Sequence, residues 1–586
     1  MRLLAPLFSI LPLTALIPAA MSSNKKELVP FKYDASPLGS IKSSGWLHDQ
    51  LSLSAETLPG HLFEFYCYVA DSTWLGGTYE YSELNEAAPY WFNYILPLAY
   101  TIDDERLKKQ AKKFLDYTLE HQAEDGWLGP ETTRQTRGIW ARSLFFFAIV
   151  NNFTGLLQDK DQNDNFDPFG FGVSRTHELP LALQWLYENH PRGKEEIIWE
   201  TMELMFAGGR KGSRDWTEFF VEGVFPAVAT PGFKTSGFTH GVNLAQGLRY
   251  PSVLYCLTRN DSLPDQTDTA VKLTEQYHYT RAGSITGDEH LGGIRPQRGS
   301  ETCMAVEMMY SMAYLHRMYG VNHYADMTER PAFNALPAAI SPDSLVEEPN
   351  RKPFFNVVLY GSSFGLEPNF PCCTVNHAQG YPKYVASSYV RYGRDGVVHV
   401  LLGPTTLDTR IQGNKVKISC DTKYPFNGKL SYTITSKREF DFSVRIPDLQ
   451  VFKITNKKTN LNINLSMITT VSPHPNGSVA IYHGPLLYAL DIEYTKTSHT
   501  PLNWTDRTPL AHTDVLPETK DYILDPISEW RYAINPDTIT EELLGIASLL
   551  PVDLVVRGEP IRVRLILYRA AKLHLAEFLV TRRESA

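Results

Sequence analysis

Asp103-Asp-Glu-Arg-Leu-Lys-Lys-Gln-Ala-Lys-Lys-Phe-Leu-Asp-Tyr-Thr-Leu119 carries its apolar residues at positions 107, 111, 114, 115 and 119. That is the spacing of one helical face, opened by acidic residues that suit a helix start. Working outward, the same period marks helices over 138–152, 175–190, 194–208, 239–258, 265–280, 302–319, 324–338 and 377–391. Gly-rich polar loops such as Asp125-Gly-Trp-Leu-Gly-Pro130 separate several of them. About ten helices in series predict a toroid of paired helices, with loops at one end of the ring forming a site. A superhelical repeat array is the rival, but no fixed internal period supports it. After Gly393 the pattern changes. Val397–Leu402, Val416–Cys420, Leu430–Ile434 and Phe440–Ile446 read as strands, several alternating in and out, and Asn427-Gly428 supplies a hairpin turn. Helices followed by strands imply separate domains: a helical one over 28–393, then a β-sandwich region over 394–586.

At 586 residues the chain is too long for one ordinary domain. Hydrophobic residues at 43% and charged residues at 21% exclude wholesale disorder. A net charge of −9 with no Lys/Arg run argues against a nucleic-acid partner. Aromatics reach 12%, and flat rings stack on sugar faces as well as filling cores. The first residues read as a signal peptide, 1–20: Arg2, an apolar run from Leu3 to Ile17, then Pro18-Ala-Ala20 ahead of a polar stretch. Pro6, Pro12 and Pro18 disfavour a stable membrane span, and no later segment is apolar enough for one. The expectation is a secreted, extracellular protein without a membrane span after cleavage. Sequons at Asn152, Asn260, Asn464, Asn476 and Asn503 permit a glycoprotein.

Six cysteines occur: Cys67, Cys256, Cys303, Cys372, Cys373 and Cys420. Disulfides are the default in a secreted chain. Two details resist it. Cys372 and Cys373 are adjacent, and Cys303 lies in Ser300-Glu-Thr-Cys303, just ahead of a helix. Glu301 and Cys303, two residues apart, converge only where a helix begins, and Ser300 is a plausible N-cap there. If that corner meets Pro371-Cys-Cys-Thr-Val-Asn376, three sulfurs and a carboxylate form a tetrahedral zinc set. Disulfides and zinc both remain open on spacing alone.

Gly299-Ser-Glu-Thr-Cys303 together with Pro371-Cys-Cys-Thr-Val-Asn376 resembles the β-L-arabinofuranosidase-type glycoside hydrolases, once classed as a domain of unknown function. Trp74-Leu-Gly-Gly77, Asp125–Pro130, His177-Glu178, Thr239-His-Gly-Val-Asn243 and Phe442-Ser-Val-Arg-Ile-Pro447 extend the resemblance over nearly the whole mature chain. It implies an (α/α)6 barrel followed by β-sandwich domains. It implies Zn2+ held by Glu301, Cys303, Cys372 and Cys373, with Cys372 as the nucleophile and Glu289 as the acid/base. Asp288 competes with Glu289, since spacing does not separate neighbours. The implied activity is a retaining exo-glycosidase acting on terminal furanosides of an oligosaccharide, polysaccharide or glycoconjugate. Thr374-Val375 stands where characterised members carry two prolines, and the segment between Glu289 and Glu301 is shorter. Both departures lie beside the reaction centre and bear on which sugar fits.

His177 and His240, at helix starts, are candidate ligands for sugar hydroxyls, against the commoner role of structural hydrogen-bond partner. Trp74, Tyr79 and Trp127 flank Gly-rich loops and could build a sugar platform or only pack. Asp125 could bind hydroxyls or cap a loop, and Glu80 is read as a loop residue. Met304, Met308, Met309 and Met312 share helical spacing and are expected in the core. Two rivals stand beside the leading reading: a carboxylate-only carbohydrate hydrolase or lyase on the same barrel, and a non-catalytic glycan-binding protein with oxidised cysteines.

Overall fold

The computed structural model describes residues 26–133, 136–148, 171–229, 237–295, 299–340, 372–447, 449–455, 458–500, 508–509, 521–530, 532–534, 549–556, 559–571 and 575–580. The expected signal segment, Asn152, Asn503 and Pro371 lie outside them.

A helical part comes first. Ala87–Ile102 is apolar on nearly every side and is buried almost throughout, the pattern of a central helix. Glu105–Glu120 packs beside it. Asp104 caps this second helix by accepting from the Arg106 and Leu107 amides at 2.8 and 3.0 Å. Leu107, Ala111 and Phe114 are buried as their spacing requires, while Leu119, in the last turn, is exposed. Helices follow at Trp140–Ala148, Glu178–Asn189, Glu195–Lys211, Gly241–Gly247, Tyr250–Thr258, Ser262–His278, Thr302–Tyr319, Asn322–Phe333 and Gly380–Ala386. The expected helix over 377–391 stops early, because Tyr389–Tyr392 is already a strand.

Three larger sheets come next. One has the strand order Asp34–Ala35, Tyr389–Tyr392, Gly396–His399, Asp441–Ile446, Leu449–Thr455. A second runs Lys458–Asn464, Lys429–Ser436, Asn414–Thr422, Thr405–Ile411, Ile41–Ser43. Asn414–Thr422 alternates buried and exposed residues along its length, so one face of the sheet is apolar. The two sheets meet face to face: Tyr432 hydroxyl lies 2.8 Å from His399 Nδ1, and its ring packs edge-on against Phe442. Each sheet takes one short strand from the beginning of the chain, which strand reading from residue 394 onward does not anticipate. A third sheet, of seven strands, leans on the helical part, where Tyr482 donates to the Arg281 carbonyl at 2.6 Å.

Arg445 joins sandwich to helices. It is fully buried, donates through Nε to Val400 O at 2.6 Å, and ion-pairs with Asp326 and Glu329 of the helix Asn322–Phe333. Glu329 also accepts from the Leu402 amide at 2.7 Å and the Tyr424 hydroxyl at 2.9 Å. Removing one partner of such a network strands a buried charge. Arg445→Met is therefore expected to destabilise the protein by about 3–5 kcal/mol, read from the shift of the urea unfolding transition.

Candidate active site and metal centre

Two helix starts supply the cysteines. Glu301 caps the helix Thr302–Tyr319 with extended backbone, and its side chain is not used in the cap. Ser300 is not the cap: its hydroxyl is tied to Ser284 Oγ and Ile285 O at 2.5 and 2.7 Å. Cys372 and Cys373 open the five-residue helix Cys372–Asn376. Cys303 Sγ lies 3.0 Å from Cys373 Sγ, too far for a disulfide bond of about 2.05 Å. Glu301 Oε1 stands 3.4 Å from Cys373 Sγ and 3.9 Å from Cys372 Sγ. One donor atom from each of the four residues falls within 4.8 Å of all the others. None of the six cysteines forms a disulfide.

The electrostatics fit a cation. The Cys372 thiol is pushed well above its ordinary value by its hydrogen bond with Cys303, with burial and the Glu289 carboxylate adding to the rise. Each negative charge in so tight a cluster disfavours the next, and a divalent cation reverses that order. Three sulfurs and one carboxylate oxygen are the donor chemistry that suits tetrahedral zinc.

Glu289 forms the tip of a tight hairpin between Gly287–Asp288 and His290–Leu291. Its φ of 70° is uncommon for a residue with a side chain and costs about 1–3 kcal/mol. Neighbours hold it there. Gly241 donates its amide to the Glu289 carbonyl at 2.7 Å, and a side chain at Gly241 would collide with Met304 at 2.3 Å. Gly287 donates to Gly299 O at 2.9 Å, which ties the hairpin to the segment leading into Glu301. His240 pairs with His290 across this junction, rings edge-on at 5.9 Å. Its Nδ1 accepts from the Asn243 amide at 3.3 Å, so the neutral ring carries its proton on Nε2. Burial, then Arg175 and His290, keep His240 uncharged well below the usual histidine range.

The other candidates lie in two further clusters. His177 is fully buried, its Nε2 2.9 Å from the Gln246 carbonyl and 2.9 Å from Glu178 Oε1. Trp74 and Trp127 are buried against the Arg142 guanidinium, at 4.8 and 4.2 Å from their ring centres. Their indole N–H groups donate to Asn85 O and to Glu131. Asp125 is exposed, pairs with Arg137 at 2.5 Å and accepts from the Trp127 amide at 3.1 Å. Tyr79 is exposed. The four expected methionines are buried.

Sequence reading passed over the groups around Cys372 that come from the helical part. Glu86 accepts from the Tyr81 hydroxyl at 2.6 Å and from the Trp140 indole, with Arg175 at 3.5 Å. Arg175 donates on to Asn243 Oδ1 at 2.7 Å, which links this group to His240. The Tyr81 hydroxyl is held protonated by burial, then by Glu86 and Cys372. Glu80 is pushed up to about 8, chiefly by burial, so its carboxyl stays protonated at neutral pH. An acid ahead of an apolar helix reads as an end-of-helix residue, so nothing in the spacing singles out Glu86.

Residues 271–386 match the family model described as Beta-L-arabinofuranosidase, GH127 catalytic domain. A search of curated proteins finds no match. Among solved structures, a GH127 β-L-arabinofuranosidase from Geobacillus stearothermophilus T6 shares 15% identity with a TM-score of 0.62, covering 92% of this chain and 99% of its own. A GH127 β-arabinofuranosidase shares 15% identity at a TM-score of 0.59, covering 94% and 98%. A third, described as a glycoside hydrolase, shares 13% identity at 0.59, also covering 94% and 98%. At these identities the structures carry the fold, and the family match carries the catalytic segment. The matched catalytic segment supports a glycoside hydrolase, and the solved structures share its fold. Over residues 271–386 in sequence, and over most of its length in fold, the chain is similar to GH127 proteins, the family that its cysteine motifs also resemble.

One buried histidine pins the Glu289 hairpin. His278 Nδ1 accepts from the Gly293 amide at 3.0 Å and its Nε2 donates to Pro226 O at 2.6 Å. Burial lowers it to about 4. The unfolded value is about 6.5, so the unfolded state takes up the proton first. Stability from this group is complete above about 6.5 and is lost as pH falls toward about 4. Hydrogen-exchange protection of the Gly293 amide is expected to fall over that window. In a His278→Phe variant the protection is already low at neutral pH and no longer changes there.

Proposed function

We propose that this protein is a secreted, retaining exo-glycosidase that removes terminal β-L-arabinofuranoside-like sugars with Cys372 as nucleophile and Glu289 as acid/base. The helical part is read as an (α/α)6 barrel whose loop end, with the helix starts at Glu301 and Cys372, forms the pocket. The domains are read with a signal segment over 1–20, the catalytic part over 28–393 and the β region over 394–586, with Asp34–Ala35, Ile41–Ser43 and Tyr389–Tyr392 joining the sheets of the β region.

The observation that carries this reading is the convergence of Glu301, Cys303, Cys372 and Cys373 within 4.8 Å, with the Glu289 charge acting on the Cys372 thiol. These four residues would hold zinc, which keeps Cys372 as the thiolate at neutral pH. Cys372 Sγ attacks the anomeric carbon while Glu289 gives its proton to the departing glycosidic oxygen. The resulting glycosyl thioether is cleaved by water that Glu289 deprotonates, so the anomeric configuration is retained. Sulfur here takes the part of the second carboxylate in the usual retaining scheme. His240, with its proton on Nε2, is suited to donate to a sugar hydroxyl.

One observation favours a second reading, acid/base chemistry on carboxylates alone: Glu80, raised to about 8 close to Tyr81 and Glu86. Activity against an aryl β-L-arabinofuranoside separates the two. Under the thiolate reading, Cys372→Ala abolishes turnover, Glu289→Gln lowers kcat about a hundred- to ten-thousand-fold, and the native protein carries close to one zinc per chain. Full activity in Cys372→Ala with loss in Glu80→Gln would install the carboxylate reading instead.

A further inference from the structure

The four donors come from two helices that need an independent hold on each other. A five-residue helix does not sustain itself, so the seat of Cys372 and Cys373 depends on tertiary bonds. Those bonds converge on Glu307. It lies one turn beyond Cys303 on the helix Thr302–Tyr319 and is buried. Glu307 Oε1 accepts from Asn376 Nδ2 at 3.3 Å and from Gln379 Nε2 at 2.9 Å. Gln379 also donates to Asn376 Oδ1, so the three side chains form a closed set. Asn376 is the last residue of the helix that begins at Cys372, and Gln379 lies just beyond it.

The carboxylate is itself anchored. Arg249, fully buried, stands 3.8 Å from Glu307 Oε2 and pairs with Glu178 at 2.5 Å. Lys383 donates to the Gln379 side-chain oxygen, and Lys383 and Arg249 approach the Tyr310 ring at 4.4 and 4.6 Å. Hydrogen bonds among buried groups are electrostatically stronger than the same bonds in water. At Gly380 the backbone lies against neighbouring side chains: an added Cβ would meet the Leu336 side chain at 2.5 Å and the Val306 side chain at 3.2 Å.

We infer that Glu307 is a positioning residue: through Asn376 and Gln379 it locks the Cys372–Cys373 turn to the Cys303 helix at the separation that the four-donor set requires. The inference rests on the metal reading of that set. Its substrate is the geometry of the sulfurs, and Glu307 itself takes no part in the sugar chemistry.

Two readouts on the full-length protein test it. Metal-free protein is titrated with zinc against a chromophoric chelator. The metal-free protein is also oxidised with oxidised glutathione, which accepts the two electrons and two protons released as Cys303 and Cys373 close to a disulfide. Glu307→Ala is expected to weaken zinc binding about 10–100-fold and to slow disulfide closure about tenfold or more. Asn376→Ala, a milder change on the opposite helix, moves both in the same direction. The double variant binds zinc no more weakly than the weaker single variant, because both remove one link. Folded variants with wild-type zinc affinity and wild-type closure rate would overturn the inference, even if their melting temperature falls. A wild-type protein that takes up no zinc would overturn the metal reading, and the closure rate would then decide the positioning role by itself.

Discussion

Seventy residues of chain separate Cys303 from Cys373, and their sulfurs finish 3.0 Å apart. Everything near the site follows from meeting that constraint. Thr302–Tyr319 serves as the common post: Glu301 begins it, Cys303 lies in its first turn, Glu307 in its second, and the helix Gly241–Gly247 packs along it. The Glu289 hairpin is then fixed from two sides, by Gly241 and by Gly299, and so is carried to the same end of the post as the sulfurs. A strained backbone at one acidic residue is tolerable because the surroundings over-determine it.

Local pattern was enough for the helices and strands whose apolar faces are regular. The 3.6 period of Glu105–Glu120 and the alternation of Asn414–Thr422 appear in the structure close to where spacing places them. The cysteine motifs were readable for a different reason, their resemblance to a known family; on spacing alone, disulfides and zinc both stayed open. Ser300 shows the limit of local rules. A favoured capping residue stood next to the true cap, and the contact with Ser284 that claimed its hydroxyl is invisible in the sequence.

What stayed hidden was mostly long-range polar contact. Glu86 and Arg175 are 89 residues apart, and Glu307 meets Gln379 across 72. No period or motif signals such pairs, because the partners are common residue types whose meaning arises only when helices pack. The aromatic residues beside the Gly-rich loops illustrate the converse. Trp74 and Trp127, read from sequence as either a sugar platform or packing residues, are each buried around Arg142, where indole and guanidinium planes satisfy one another.

The short strands near the start of the chain have a consequence for how the protein is made. Ser36 bonds to Tyr389 across 353 residues, and Trp46 to Tyr424 across 378. During synthesis the helical part therefore emerges with its leading segment still waiting for a partner, and the segment docks only when the sandwich follows it off the ribosome. Closure of such distant pairs is slow relative to helix formation. Truncation after the last helix would accordingly leave more than a missing appendage: it would leave an open edge on the catalytic half, exposed to any neighbouring chain that can add a strand.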